Sequence, residues 1–329
     1  MNSPISSASV ESRFFRIGLV RKLEHWLNVL PYSPLVVEIA SDHVAAVRWG
    51  NKRGDLDSCA VESLQTGSVM ASPVETNVTQ PDAVRSALRK VFDRVPDRGT
   101  PLVLLIPDPV VRVFILPFDT LPRRGDEALP LLRWRLKKSV PFDMDETVVS
   151  WMRQPGPQGN LEAVTAVARQ RIVREYEEIL ESLGTHVTTV LSSTLATLPL
   201  LEEFGASLLA RMSGKTLTTA IVHGSSLCVY RATEMTTDAS LLDPQAMLEE
   251  IFPALVYFQD TWGSSLTRAR LSGFGTRERV FRDALEKELG IAVGPLADSE
   301  AARSLESPAN DMMYQNLDAL VGWMMNEGA

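Results

Sequence analysis

The side chains with chemical potential gather in short polar stretches between apolar runs: Ser41-Asp42-His43, His223-Gly224-Ser225-Ser226 and Ser272-Gly273-Phe274-Gly275. Ser, Asp and Gly dominate ordinary hairpin turns, so residue type alone fits a plain turn as well as a binding loop. The four histidines, His25, His43, His186 and His223, are scattered, and Cys59 lies far from Cys228, so no metal-ligand spacing appears. No Gly-x-Ser-x-Gly elbow offers a nucleophile. Asp260 and Asp283 fall on stretches with helical periodicity, where they read as solvated. These residues predict no catalytic set and no metal.

A different chemistry is suggested by residues 121–152, LPRRGDEALPLLRWRLKKSVPFDMDETVVSWM: a basic helix carrying Trp134, a Pro141-Phe142 turn, and carboxylates at Asp143, Asp145 and Glu146. A basic helix beside an aromatic turn suits an extended peptide held by apolar anchors.

Around these stretches the chain alternates strands and helices. Residues 35–49 read as strand, turn, strand. Residues 81–95 place Val84, Leu88, Val91 and Val95 on one helical face behind Pro81 and Asp82. The apolar run at 101–108 has the length of a buried strand, and its place after a helix suggests a β–α–β crossover. The second half repeats the logic. Residues 217–231 form a hairpin, and 244–262 a helix with Met247, Ile251, Leu255 and Phe258 in a stripe. A short strand at 269–273 follows, then a helix at 276–289 ended by Gly290. A helix from 167 to Gly184 leads into a further strand. The hairpins beginning at Leu35 and Leu217, 182 positions apart, suggest an internally duplicated α/β protein. The predicted division is an extension at 1–33 with an amphipathic helix at 13–30, first-lobe parts at 34–108 and 166–205, a small inserted subdomain at 109–165, and a second lobe at 206–329.

The 329 residues comprise 45% hydrophobic and 22% charged types, which fits a globular chain and excludes disordered, collagen-like or coiled-coil classes. Lys and Arg number 33 against 41 Asp and Glu, a net charge of −8, which argues against a nucleic-acid partner. Two cysteines are too few for a disulfide framework and point to a reducing cytosol. The longest uncharged stretch, about 183–201, is too rich in hydroxyls for a bilayer helix. The apolar residues near the start are interleaved with Arg13, Arg16, Arg21 and Lys22, unlike a secretory signal.

Several of these segments together resemble the PilM branch of the actin-like ATPase superfamily, related to FtsA and MreB. EIASDHVAAV (38–47) resembles its first phosphate hairpin, LRWRLKKSVPFDMDETVVSW (132–151) its inserted subdomain, VARQRIVREYEEILESLG (167–184) the helix after it, and LEEIFPALVYFQDTWGSSLTRARLSGFG (248–275) its second-half helix and adenosine turn. The similarity spans about 35–325. It implies a duplicated ribonuclease-H-like fold of two lobes with an inserted α+β subdomain. It also implies a cytoplasmic scaffold, peripheral at the inner face of the inner membrane, in a type IV pilus assembly platform.

On that resemblance, phosphates would meet Glu38, Ser41, Asp42 and His43 in one hairpin and Gly224, Ser225 and Ser226 in another, with adenosine at Gly273, Phe274 and Gly275. The pattern is degenerate. Ala40 stands at a glycine position, the second hairpin lacks its acid, and Phe274 replaces a glycine, either to stack on adenine or to fill its pocket. Asp42 adds a second carboxylate; two such charges about 4 Å apart repel by roughly 4 kcal/mol at an effective dielectric near 20. Weak or absent binding of ATP and magnesium and no hydrolysis are therefore expected. The partner implied is the short cytoplasmic tail of a PilN-type membrane protein, held between the first lobe and the insertion by Arg133, Trp134, Lys137, Pro141 and Phe142. Arg135 departs from the acid usual after that Trp. Alternatives on the same fold are an active ATPase or sugar-kinase-type enzyme, a GspL-like type II secretion component, and an FtsA-like filament.

Overall fold

The computed structural model describes residues 33–326 apart from 51–54, 97, 98, 203 and 306; the predicted helix at 13–30 and His25 lie outside the described residues. The first sheet begins with an antiparallel meander of β1 (Leu35–Ile39), β2 (His43–Trp49) and β3 (Leu56–Ser63). Helix α1 (Pro81–Arg94) then buries Val84, Ala87, Leu88 and Val91 and returns the chain to β4 (Leu102–Ile106), which runs parallel to β1. Both β1 and β4 are buried throughout, as their uninterrupted apolar runs require of central strands.

An insertion follows: β5 (Arg112–Phe118), α2 (Gly125–Leu136), β6 (Thr147–Pro155) and β7 (Leu161–Arg169), with the strands in the order β5-β7-β6. The first lobe resumes with α3 (Gln170–Glu181), β8 (Val187–Ser192) and the single turn α4 (Ser193–Thr197). Its sheet has the order β3-β2-β1-β4-β8. The insertion therefore ends at Arg169 rather than 165, because residues 161–169 alternate against both neighbouring strands before the helix begins.

The second sheet repeats the first. A meander of β9 (Ala206–Ser213), β10 (Thr216–His223) and β11 (Ser226–Glu234) leads into α5 (Pro244–Trp262), β12 (Arg268–Ser272), α6 (Glu278–Leu289) and β13 (Ala292–Pro295). The order is β11-β10-β9-β12-β13, with the same antiparallel and parallel pairings as the first lobe. The partner of the β1–β2 hairpin is thus β9–β10, which turns at Gly214-Lys215. The hairpin expected at 217–231 exists, but it is the next one, β10–β11.

The end of the chain does not belong to the second lobe. Helices α7 (Glu300–Arg303), α8 (Ser307–Met313) and α9 (Asp318–Asn326) bury Ala302, Met312, Leu320 and Trp323 in the first-lobe core. At Gly322, α9 lies so close to α4 that a Cβ would run into the Ala196 carbonyl. The predicted boundary at 206–329 is corrected accordingly.

Candidate functional site

Equivalent ladders make equivalent residues identifiable. Glu38 faces Ala45 across β1–β2, and Arg211 faces Thr218 across β9–β10, the same number of residues from each turn. The two lobes therefore present a carboxylate and a guanidinium at one structural position. They meet between the lobes, with Arg211 Nη2 3.7 Å from Glu38 Oε1. At that distance opposite charges attract by about 4 kcal/mol at an effective dielectric of 20.

Arg211 is almost fully buried, and its Nε donates to Asp318 Oδ2 at 2.8 Å. Asp108 Oδ2 lies 3.9 Å from its Nη1. Burial disfavours the guanidinium charge, but Asp318, Glu38 and Asp108 outweigh it and hold its pKa well above the ordinary value. Asp108 is itself saturated. It accepts from the Thr194 amide at 2.9 Å, from Thr194 Oγ1 at 2.5 Å, from Thr218 Oγ1 at 2.8 Å and from the Tyr230 hydroxyl at 3.0 Å. Burial first, and then the Asp108 charge, raise the Tyr230 phenol well above its usual range, so it stays a donor. Asp318 also accepts from Thr197 Oγ1 at 3.0 Å.

On the other side of Glu38 stands His43. Its Nδ1 donates to Asp42 Oδ1 at 2.7 Å, and its Nε2 lies 3.8 Å from Glu38 Oε2. Burial works against a charged imidazole, but Asp42 and Glu38 prevail and push its pKa up to about 10. The His43 bond in turn holds Asp42 below the usual carboxylate range. Ser193 Oγ completes the setting of Glu38 with a 2.6 Å hydrogen bond to Oε1. Glu38 Oε2, Arg211 Nη1 and His43 Nε2 remain buried without a hydrogen-bond partner.

A cleft of about 1110 Å³ runs past this cluster, bordered by Ser41 and Asp42 from one hairpin tip and Gly214 and Lys215 from the other. The tips nearly touch: a Cβ on Gly214 would sit 3.7 Å from that of Ser41, in van der Waals contact. A phosphate cannot pass between them there. A divalent cation would meet a guanidinium and an imidazolium where an actin-like site needs acids and water. The residues present do not fit magnesium bound to a triphosphate. No group of three His, Cys, Asp or Glu gathers for a metal among the described residues.

The remaining sequence candidates fall as follows. Gly273, Phe274 and Gly275 line the cleft. Gly273, at φ +81°, lets β12 approach β9 so closely that a Cβ would collide with the Met212 carbonyl. Phe274 packs 4.6 Å from Phe281 and is 2% exposed, so it fills the core of the second lobe and has no face free for adenine. Arg277 closes the same corner by donating to the carbonyls of Ala239, Ser240 and Leu242.

Gly224, Ser225 and Ser226 are not in the cleft. They sit at the other end of β10, about 25 Å from the Gly214 turn at the usual rise per strand residue. There the turn docks on the insertion: Ser226 Oγ donates to the Pro155 carbonyl and the Leu227 amide to Gln154 Oε1. His223 is caged edge-on by Phe258 and Trp262. Expected as phosphate ligands, the three residues instead lie away from the cleft, with Ser226 on the insertion and the Gly224 amide donating to the Gly205 carbonyl.

In the insertion, Arg133 donates to the carbonyls of Met144 and Thr147, clamping α2 to the start of β6. Phe142 packs with Leu136, Met144 and Phe114. Trp134 points to solvent, 79% exposed. The cleft continues between the first lobe and the insertion along Val69, Met70, Ala71, Val113, Phe114 and Ser139. None of Arg133, Trp134, Lys137, Pro141 or Phe142 lines it, although Phe142 and the groove residue Phe114 pack against the same small core. Sequence reasoning missed Asp108, Arg211, Tyr230 and Asp318. The signal for Arg211 was a lone cation interrupting the apolar run ASLLARM at 206–212.

Known proteins agree with this architecture. No protein-family model matches the sequence, and no curated protein does. Among solved structures, one described as a PilM-PilN type IV pilus biogenesis complex aligns at 18% identity and a TM-score of 0.71, covering 91% of this chain and 100% of that one. The cytoplasmic domain of EpsL, an inner-membrane component of the type II secretion system of Vibrio cholerae, aligns at 13% identity over 72% of this chain and 80% of that one, with a TM-score of 0.47. Two matched sheets, a third one inserted after β4 and full coverage of the first of these structures lead to one statement: this chain has the two-lobed actin-like fold in its PilM-like form.

Proposed function

We propose that this protein is a PilM-like scaffold of a pilus or secretion platform that neither binds nor hydrolyses Mg-ATP and that captures the cytoplasmic tail of a PilN-type membrane protein. The observation that carries the reading is the pairing of Glu38 with Arg211. Of the two equivalent positions that would both have to be acids for magnesium, one is the acid Glu38 and the other is its counter-ion, Arg211. Scaffolding is supported by the likeness to the PilM-PilN structure and by an apolar groove between first lobe and insertion, where Met70, Val113 and Phe114 offer anchors for an extended tail.

One calorimetric sample tests both halves. Titrated with Mg-ATP it gives no binding heat and releases no phosphate above a protein-free control; micromolar affinity or steady turnover sinks the pseudo-ATPase. Titrated with a PilN-type tail peptide it binds, and Met70→Asp, at a residue 60% exposed, weakens capture about tenfold or more. Unchanged capture moves the groove elsewhere.

A further inference from the structure

The outer face of α2 is a second surface, separate from the tail groove and independent of the reading above. Its inner face is committed: Ala128, Leu132 and Leu136 are fully buried against the insertion's sheet, and Arg133 fastens the helix to the Met144–Thr147 turn. That fixes what points outward. Leu131 and Trp134, three residues apart and so on one face, are 44% and 79% exposed. Lys137 and Lys138, both exposed, follow one turn later.

Charge distinguishes this face from other exposed apolar residues. Residues 130–141, PLLRWRLKKSVP, hold Arg133, Arg135, Lys137 and Lys138 and no carboxylate, in a chain whose net charge is −8. Neither Lys137 nor Lys138 has an ion-pair partner among the described residues. None of the described carboxylates nearest in the sequence pairs with Lys137 or Lys138. Asp126 pairs with Arg124 and Glu146 with Arg169, while Asp143 and Asp145 lie beyond the Pro141-Phe142 turn. By contrast, the exposed Phe252 and Tyr257 of α5 lie in a helix with Glu249, Glu250 and Asp260 and no cation. An anionic surface would repel that helix.

A projecting indole followed one turn later by two lysines is a combination that settles at the headgroup level of an anionic bilayer. The ring sits at the polar–apolar boundary, and each cation gains from the surface potential. An acidic peptide could satisfy the lysines, but it would also have to supply a pocket for a tryptophan that stands 79% exposed on its helix.

We propose that the outer face of α2, centred on Trp134 with Lys137 and Lys138, docks on an anionic phospholipid surface. Docking there leaves the tail groove, lined by β5 and the 64–73 loop, free. The test uses the full chain, sedimented with vesicles of equal parts phosphatidylcholine and phosphatidylglycerol. The wild type partitions to them and not to pure phosphatidylcholine. Lys137→Gln with Lys138→Gln lowers partitioning on the order of 30-fold, and raised salt weakens the wild type in the same sense. Brominated acyl chains quench the wild-type fluorescence and lose that component in Trp134→Phe. All three residues are exposed, so thermal unfolding of the variants stays unchanged. Equal binding to neutral vesicles, or no binding at all, overturns the proposal. So does undiminished partitioning of the folded double variant, which would place attachment in another segment such as 13–30. Loss of acidic-peptide capture with vesicle binding intact would make the face a protein site instead.

Discussion

His43 owes its proton to its neighbours. Asp42 at 2.7 Å and Glu38 at 3.8 Å raise its folded pKa to about 10, above an unfolded value near 6.5. A group whose pKa rises on folding contributes fully below the unfolded value and loses that contribution as pH climbs through the folded one. Stability measured in urea should therefore fall between pH 7 and pH 10, by about 3 kcal/mol after allowing for the exposed Asp42. His43→Gln should flatten that slope. If the slope survives the substitution, a different group titrates. The sequence made Ser41-Asp42-His43 legible as a polar turn with a carboxylate too many. It did not reveal that the histidine neutralises that carboxylate, because the answer depends on Glu38 pointing into the same space from the preceding strand.

Elements were easier to read than their equivalence. Helix α5 spans Pro244–Trp262 as its apolar stripe predicted, and α6 ends at Gly290 with φ +65°. The duplicated hairpin was misassigned by one strand. Its turn, Gly214-Lys215, follows a strand broken by a buried cation, whereas His223-Gly224-Ser225-Ser226 separates two cleaner apolar runs. Local pattern marks a turn, but only sheet order says which turn faces the cleft. The glycines divide accordingly. Gly273→Ala forces a Cβ into the Met212 carbonyl at φ +81° and should cost well over 2 kcal/mol in chemical unfolding. Gly224→Ala, at φ +58° with open space around it, should cost about 1 kcal/mol. Equal costs would mean that β12 does not need its close approach to β9.

At the scale of the molecule, the duplication and the inserted subdomain were visible in repeated strand–helix patterns, while the return of α8 and α9 to the first lobe was not. An amphipathic stripe tells that a helix packs, not which sheet receives it. That return matters because Asp318, at the start of α9, holds Arg211 of the second lobe, and Arg211 also faces Glu38 and Asp108 of the first. Arg211→Met leaves Asp108 and Asp318 without a counter-ion and Glu38 with His43 alone, and should lower stability by about 3–5 kcal/mol. Hydrogen exchange should rise in β9 and α9 together. Adding Asp318→Asn should restore part of the loss. Exchange confined to β9 would show that the lobes are joined by something else.

Where a nucleotide joins two lobes, the mortar is a diffusible molecule whose supply rises and falls with metabolism. If the proposed loss of Mg-ATP binding holds, the joint here is a side chain, Arg211, tethered by the backbone and present at one copy per protein for its whole lifetime. A joint of that kind has no off-rate to tune and no spent form to release. On this account starved and well-fed cells would hold the same shape of this protein. Any timing in a complex that contained it would then have to come from another component.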